Sequence, residues 1–99
     1  MLIRLSKHAQ QKMALRQLDT RMIEEVLEAP ENKFYDTLAG SEVAAKVVRI
    51  KGEVFTLAVV YTIKDDAHHI VTVYPSKGFK AEADRKVKFG RWVVIPESQ

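Results

Sequence analysis

Glu42–Ile50 (Glu-Val-Ala-Ala-Lys-Val-Val-Arg-Ile), Val54–Ile63 (Val-Phe-Thr-Leu-Ala-Val-Val-Tyr-Thr-Ile) and His68–Tyr74 (His-His-Ile-Val-Thr-Val-Tyr) are three apolar runs set close together in the chain. They are rich in the β-branched and aromatic residues that suit a pleated, packed surface. The gaps between them, Lys51-Gly52-Glu53 and Lys64-Asp65-Asp66-Ala67, have the length and composition of hairpin turns. Three successive antiparallel strands are therefore predicted. In the middle run Phe55, Leu57, Val59 and Tyr61 fall on one face, and Val54, Thr56, Ala58 and Val60 on the other. Both faces are apolar, which predicts a central strand covered on both sides for part of its length.

Upstream, Ser6 is a good N-cap, and Lys7–Arg16 holds no Gly, Pro or β-branched residue to oppose a helix. Gln17-Leu18-Asp19-Thr20 breaks that pattern and offers a second cap, after which Met22, Ile23, Val26 and Leu27 recur at helical spacing up to Pro30. Two helices of this size cannot hide their apolar faces on each other alone, so the sheet must cover them. Phe34-Tyr35 reads as a short first strand. Beyond Pro75 the chain is charged through Lys88, as a short helix or a mobile loop. Arg91–Ile95, ending at Pro96, reads as an edge strand. The expectation is an α+β fold, two N-terminal helices on a three- to four-stranded antiparallel sheet, forming one domain over residues 1–99 with no room for a second hydrophobic core.

Hydrophobic residues make up 46% of the 99 and charged residues 29%, the proportions of a chain that folds rather than stays disordered. The absence of cysteine excludes disulfides, thiolate metal sites and thiol catalysis, and fits a reducing cytoplasm. The first residues turn polar too early for a signal peptide, and Leu57–Tyr61 is far too short to span a bilayer. A cytoplasmic protein without membrane contact is expected. Sixteen Lys and Arg against thirteen Asp and Glu give a net charge of +3. The surplus concentrates between Lys77 and Arg91, where Lys77, Lys80, Arg85, Lys86, Lys88 and Arg91 outnumber Glu82 and Asp84. Such a segment suits an anionic partner or is simply a solvated surface.

His8, Lys12 and Arg16, spaced by four, point within about 80° of one another on the first predicted helix. Ala9 and Met13 lie beside this stripe, so the cations border the side that packs on the sheet. An imidazole and two cations there can meet a phosphodiester, with arginine the better geometric match to its oxygens. The same residues can equally lay their stems over an apolar edge. His68-His69 does not read as a metal site, because adjacent strand residues point to opposite faces. His68, Ile70, Thr72 and Tyr74 share one face of the predicted strand; Thr72 and Tyr74 could orient a phosphate or pack across strands. Arg49 and Tyr61 are similar cases.

No Gly-rich phosphate loop, Gly-x-Ser-x-Gly elbow or His-Glu-x-x-His helix is present. Any catalysis must then be cofactor-free acid–base and electrostatic work. RNA cleavage fits that limit, because the substrate brings its own 2′-hydroxyl nucleophile and needs placement, a proton acceptor and cations at the phosphate.

Ser6-Lys7-His8-Ala9-Gln10-Gln11-Lys12-Met13-Ala14-Leu15-Arg16, followed by Met22–Leu27, resembles the opening of a small domain-of-unknown-function family marked by Ser-x-His-Ala-x-x-Arg-Met-x-x-Arg and a second helix. Lys12 stands where that pattern has arginine. Val59-Val60-Tyr61 and Ile70–Tyr74 look like its terminal strands, so the resemblance runs from about Leu2 to Pro75. That family is similar to the RelE/ParE toxin superfamily, whose RelE-type members cleave messenger RNA, often on the ribosome, without a metal, and whose antitoxin partners cover the active surface. The resemblance implies a RelE-like domain, His8 as proton-transfer group and Arg16 as phosphate-stabilising cation. Thr72 and Tyr74 join the expected catalytic set from their strand position. Lys7, Lys12, Arg49, Lys77, Lys80, Arg85, Lys86 and Lys88 are the expected nucleic-acid contacts, with no metal and no cofactor. The expected activity is metal-independent endoribonuclease action on messenger RNA, with a cognate antitoxin as a protein partner. The alternative is a non-catalytic module that binds nucleic acid or protein through the same face. A DNA-reading helix-turn-helix ranks last, because Glu24, Glu25 and Glu28 put acids where a recognition helix needs donors.

Overall fold

A computed structural model describes residues 1–96 of the chain. A four-residue strand, β1 (Leu2–Leu5), leads into α1 (Lys7–Arg16) through Ser6. The Ser6 N–H donates to the Ile70 carbonyl (3.1 Å), while its Oγ donates to the Val71 carbonyl and accepts from the Ala9 N–H, both at 3.0 Å. One small side chain thus caps the helix and ties its start to a distant strand. Asp19 Oδ1 caps α2 (Thr20–Glu28) by accepting from the Met22 N–H at 3.0 Å. Then follow β2 (Asn32–Asp36), β3 (Ser41–Ile50), β4 (Glu53–Lys64) and β5 (Ala67–Ser76), each antiparallel to the one before. The chain ends with α3 (Phe79–Lys88) and β6 (Trp92–Ile95). Lys51-Gly52 and Asp65-Asp66 have positive φ at both positions, the mirror-image hairpin turn that matches strand twist.

The six strands run in the order β1-β5-β4-β3-β2-β6, and β1 is parallel to β5. This overturns the expected two helices on a three- to four-stranded antiparallel sheet: the fold is α+β, but with a mixed six-stranded sheet and three helices. β1 escapes a sequence reading because four residues give no usable alternation and its partner lies more than sixty residues away. The charged stretch after Pro75 is a helix because Phe79 and Ala83, one turn apart, bury on the sheet.

Two apolar clusters lie on opposite faces of this sheet. Ala9, Met13, Leu18, Ile23 and Val26 from α1 and α2 pack on Ala44, Leu57, Val59, Tyr61, Ile70 and Val73. On the other face Phe79 and Ala83 of α3 join Phe34, Val43, Ala45, Ala58 and Trp92. Phe34, Phe79 and Trp92 form an aromatic triplet with ring centroids 5.0 to 6.1 Å apart. The doubly apolar β4 makes this sandwich necessary.

The return of β6 is fixed by Asp36, whose side chain is 9% exposed. Its Oδ1 accepts from the Leu38 and Ala39 N–H groups and from Arg91 Nε (2.8 Å), and its Oδ2 accepts from Arg91 Nη2 (3.1 Å). The Arg91 guanidinium holds this carboxyl down to about 2, against the opposing effect of burial and with help from the two backbone donors.

Candidate nucleic-acid interface

α1 lies along β5 where the sheet is open. β1 covers only Ala67–Ile70 of β5, so Val71–Ser76 has no strand on that side among the described residues. The exposed carbonyls there are met by side chains from α1 and its cap: Val71 by Ser6, and Val73 by Arg16, whose Nη1 donates at 3.1 Å. This one bond fixes the guanidinium, and no second acceptor for it occurs among the described residues. Lys7 and His8 are exposed, and Lys12 and Arg16 half-buried. None of the four forms an ion pair among the described residues. Members of the stripe are four residues and so about 6 Å apart along the helix axis, which puts His8 and Arg16 about 12 Å apart axially, with Lys12 between.

Thr72 and Tyr74 are elsewhere. The β4–β5 register slips at Val71, so that Val60 pairs with Thr72 while Tyr61 pairs with Ile70. A bulge of one residue exchanges the faces beyond it. Ile70 and Val73 therefore face α1 and α2, whereas Tyr74 packs in the α3 cluster and Thr72 shares its face. The expected common face of His68, Ile70, Thr72 and Tyr74 is thus corrected, and the sheet separates Thr72 and Tyr74 from His8 and Arg16. The Tyr74 hydroxyl donates to Glu82, 3.3 Å from its Oε2, and burial, reinforced by the Glu82 carboxylate, pushes the phenol above its usual range.

The cations beyond β5 are mostly engaged. Lys80 pairs with Asp84 (3.1 Å), Lys77 with Glu53 (3.3 Å) while lying over Phe55, and Lys86 with Glu82 (2.9 Å) while lying over Trp92. Arg49 donates to the Gly52 carbonyl of its own hairpin. Arg85 and Lys88 make no ion pair among the described residues. The eight expected contacts therefore do not form one surface: Lys7 and Lys12 belong to α1, and the α3 group lies across the sheet.

One constellation escapes a sequence reading. Lys33, Glu42, Tyr61 and His68, on four different strands, form a polar row on the α1–α2 face. Lys33 Nζ is 3.5 Å from Glu42 Oε1, the Tyr61 hydroxyl donates to the same oxygen at 3.1 Å, and the Tyr61 and His68 rings lie 5.2 Å apart. Burial lowers the His68 pKa below 6.5, with Lys33 and the N-terminal ammonium adding to the effect and Glu42 opposing it. The ring is thereby biased toward its neutral form, and its Nδ1 is buried without a partner among the described residues. No local signal links residues brought together only by strand pairing. No cluster of three or more side chains able to hold a metal occurs among the described residues, and none of the described helices is long and apolar enough to cross a membrane.

Fold and site together define a small α+β protein with a cationic helix along an open stretch of sheet. The model of a domain-of-unknown-function family, DUF4258, matches residues 5–75, and the chain belongs to that family. The match spans α1 through most of β5 and stops before α3 and β6. No curated protein and no solved structure matches the chain.

Proposed function

We propose that this protein binds RNA through α1, the phosphate backbone running along Lys7, His8, Lys12 and Arg16 beside the open stretch of β5. The observation that carries this reading is the hydrogen bond from Arg16 to the Val73 carbonyl. It pre-positions a guanidinium at the sheet margin, so little ordering entropy remains to be lost when a phosphate arrives. The spacing favours binding over catalysis: groups about 12 Å apart along a helix suit successive phosphates rather than one phosphorus atom. A second reading, RelE-type cleavage of messenger RNA with His8 as proton acceptor and Arg16 at the phosphate, is favoured by the exposure of His8 on the same helix as that fixed cation. A cognate antitoxin covering α1 belongs with that second reading.

The test is anisotropy of a labelled single-stranded RNA titrated with wild type, His8→Ala and Arg16→Ala at several salt concentrations, followed by analysis of the RNA ends. Salt-dependent binding that Arg16→Ala weakens, with the RNA intact, is the expected result. Cyclic phosphate ends that His8→Ala abolishes would promote the second reading. No binding by folded wild type would overturn both.

A further inference from the structure

Among the described residues, Phe55 belongs to neither apolar cluster and is only half-buried. It pairs with Val48 on β3, and alternation with Leu57 and Val59 puts it on the α1–α2 face. Leu57 pairs with Pro75 and Thr56 with Ser76, so the chain leaving β5 carries Lys77 onto that same face beside Phe55. Lys77 Nζ stands 5.2 Å from the Phe55 ring centroid and 3.3 Å from Glu53. The Lys77 and Glu53 side chains are 65% and 62% exposed. The ring face over which Lys77 lies therefore looks outward, because the side chain above it is itself mostly in water. α1 leads to this place. Ser6 anchors its start at Ile70, and Arg16 anchors its last turn at Val73, four residues before Lys77 and about 13 Å from it along the strand direction. His8, Lys12, Arg16 and Lys77 thus follow β5 in order toward its C-terminal end, and Phe55 lies beside the last of them.

We infer that Phe55 is a stacking platform for one unpaired base of a single-stranded RNA whose backbone lies along α1, with Lys77 turning from Glu53 to the adjacent phosphate. This rests on the RNA reading of α1 and adds to it the class of RNA and a contact to its bases. A basic track that ends at an outward aromatic ring holds single strands with little regard to sequence, since every base has a π-face. A base within a duplex has both faces stacked on its neighbours and none to offer, so the ring selects unpaired RNA. Lys77 does not block the ring: its pair with Glu53 is exposed on both sides and holds it weakly, so exchanging that carboxylate for a phosphate costs little. Phe89, although 78% exposed, is no substitute, because it follows α3 on the far side of the sheet from α1.

The test is anisotropy of three labelled probes of about 12 nucleotides, an oligoadenylate, an abasic strand and a duplex, titrated with the full chain as wild type, Phe55→Leu, Phe55→Tyr and Arg16→Ala, each checked for folding by circular dichroism. Wild type is expected to bind the oligoadenylate at least about fivefold more tightly than the abasic strand. Phe55→Leu should remove that preference, leave duplex binding unchanged and keep the salt slope, because it removes a ring and no charge, whereas Arg16→Ala should lower the slope. Phe55→Tyr, which keeps a ring, should recover the preference that Phe55→Leu loses. Equal wild-type affinity for the oligoadenylate and the abasic strand, or a preference that survives Phe55→Leu, would overturn the platform while leaving α1 as the binding element wherever Arg16→Ala still weakens the complex. The comparison of probes on wild type reports even if Phe55→Leu fails to fold. No binding of any probe by folded wild type would overturn the RNA reading itself, and the platform with it.

Discussion

The two helical coverings of the sheet treat their cations in opposite ways. On α1, Lys7, Lys12 and Arg16 have no carboxylate partner among the described residues, and Arg16 is held by a backbone carbonyl. On α3, Lys80 and Lys86 are paired within their own helix, and Lys86 also lies 4.5 Å from the Trp92 ring centroid, where it helps hold the helix down. The α3 segment looked the richer in positive charge, yet α1 has more of it available to a ligand. Charge density along a sequence is therefore a poor guide to a binding face; what matters is which cations the fold has already neutralised.

The contrast can be tested first through the core each helix covers. Trp92→Ala should remove about 3 to 5 kcal/mol and Ile23→Ala about 2 to 5 kcal/mol in urea unfolding, since both leave cavities in packed clusters. A loss below about 1 kcal/mol for Trp92→Ala would show that α3 is a detachable cover rather than half of the fold. Acid titration sharpens the comparison next. Asp36 has a folded pKa of about 2 against an ordinary 3.8, so the stability it contributes is complete above the higher value and lost as the pH falls through the lower one. With its Arg91 partner partly exposed, the loss should be about 1 kcal/mol. Asp36→Asn should flatten the unfolding free energy between those limits, and an unchanged acid limb would contradict the clamp.

The smaller effects bear on the cations themselves. Arg16→Ala should weaken RNA binding several-fold and reduce the salt slope by about one, whereas Lys80→Ala should leave both unchanged. Equal effects of the two would erase the distinction between α1 and α3. Smallest of all, Lys80→Ala should shift stability by less than about 0.5 kcal/mol, because its pair with Asp84 is exposed on both sides.

Much of this molecule is legible in its sequence because the deciding signals are local. The caps Ser6 and Asp19, the helical spacing of Met22, Ile23, Val26 and Leu27, and the turns at Lys51-Gly52 and Asp65-Asp66 each act within a few residues. The stripe of His8, Lys12 and Arg16 is local for the same reason, since helix geometry alone puts those residues on one side. The hydrophobic pattern of β4 also announces that both faces need cover.

What covers them is a tertiary matter. Whether β1 exists depends on a parallel partner far along the chain, and whether residues 79–88 fold as a helix depends on an aromatic pocket that Phe34 and Trp92 complete. The bulge at Val71 reverses the facing of Thr72 and Tyr74, because strand side chains alternate with a period of two and one extra residue inverts everything beyond it. Arg16 reaches Val73, and Lys33, Glu42, Tyr61 and His68 become neighbours, only after strands from four parts of the chain are aligned. The sequence by itself determined the two N-terminal helices, the hairpins at Lys51-Gly52 and Asp65-Asp66 and the cationic stripe, since each rests on interactions within one turn or one hairpin. Only the tertiary structure decided which cations are already paired and which side chains share a face, since both depend on the register between distant strands.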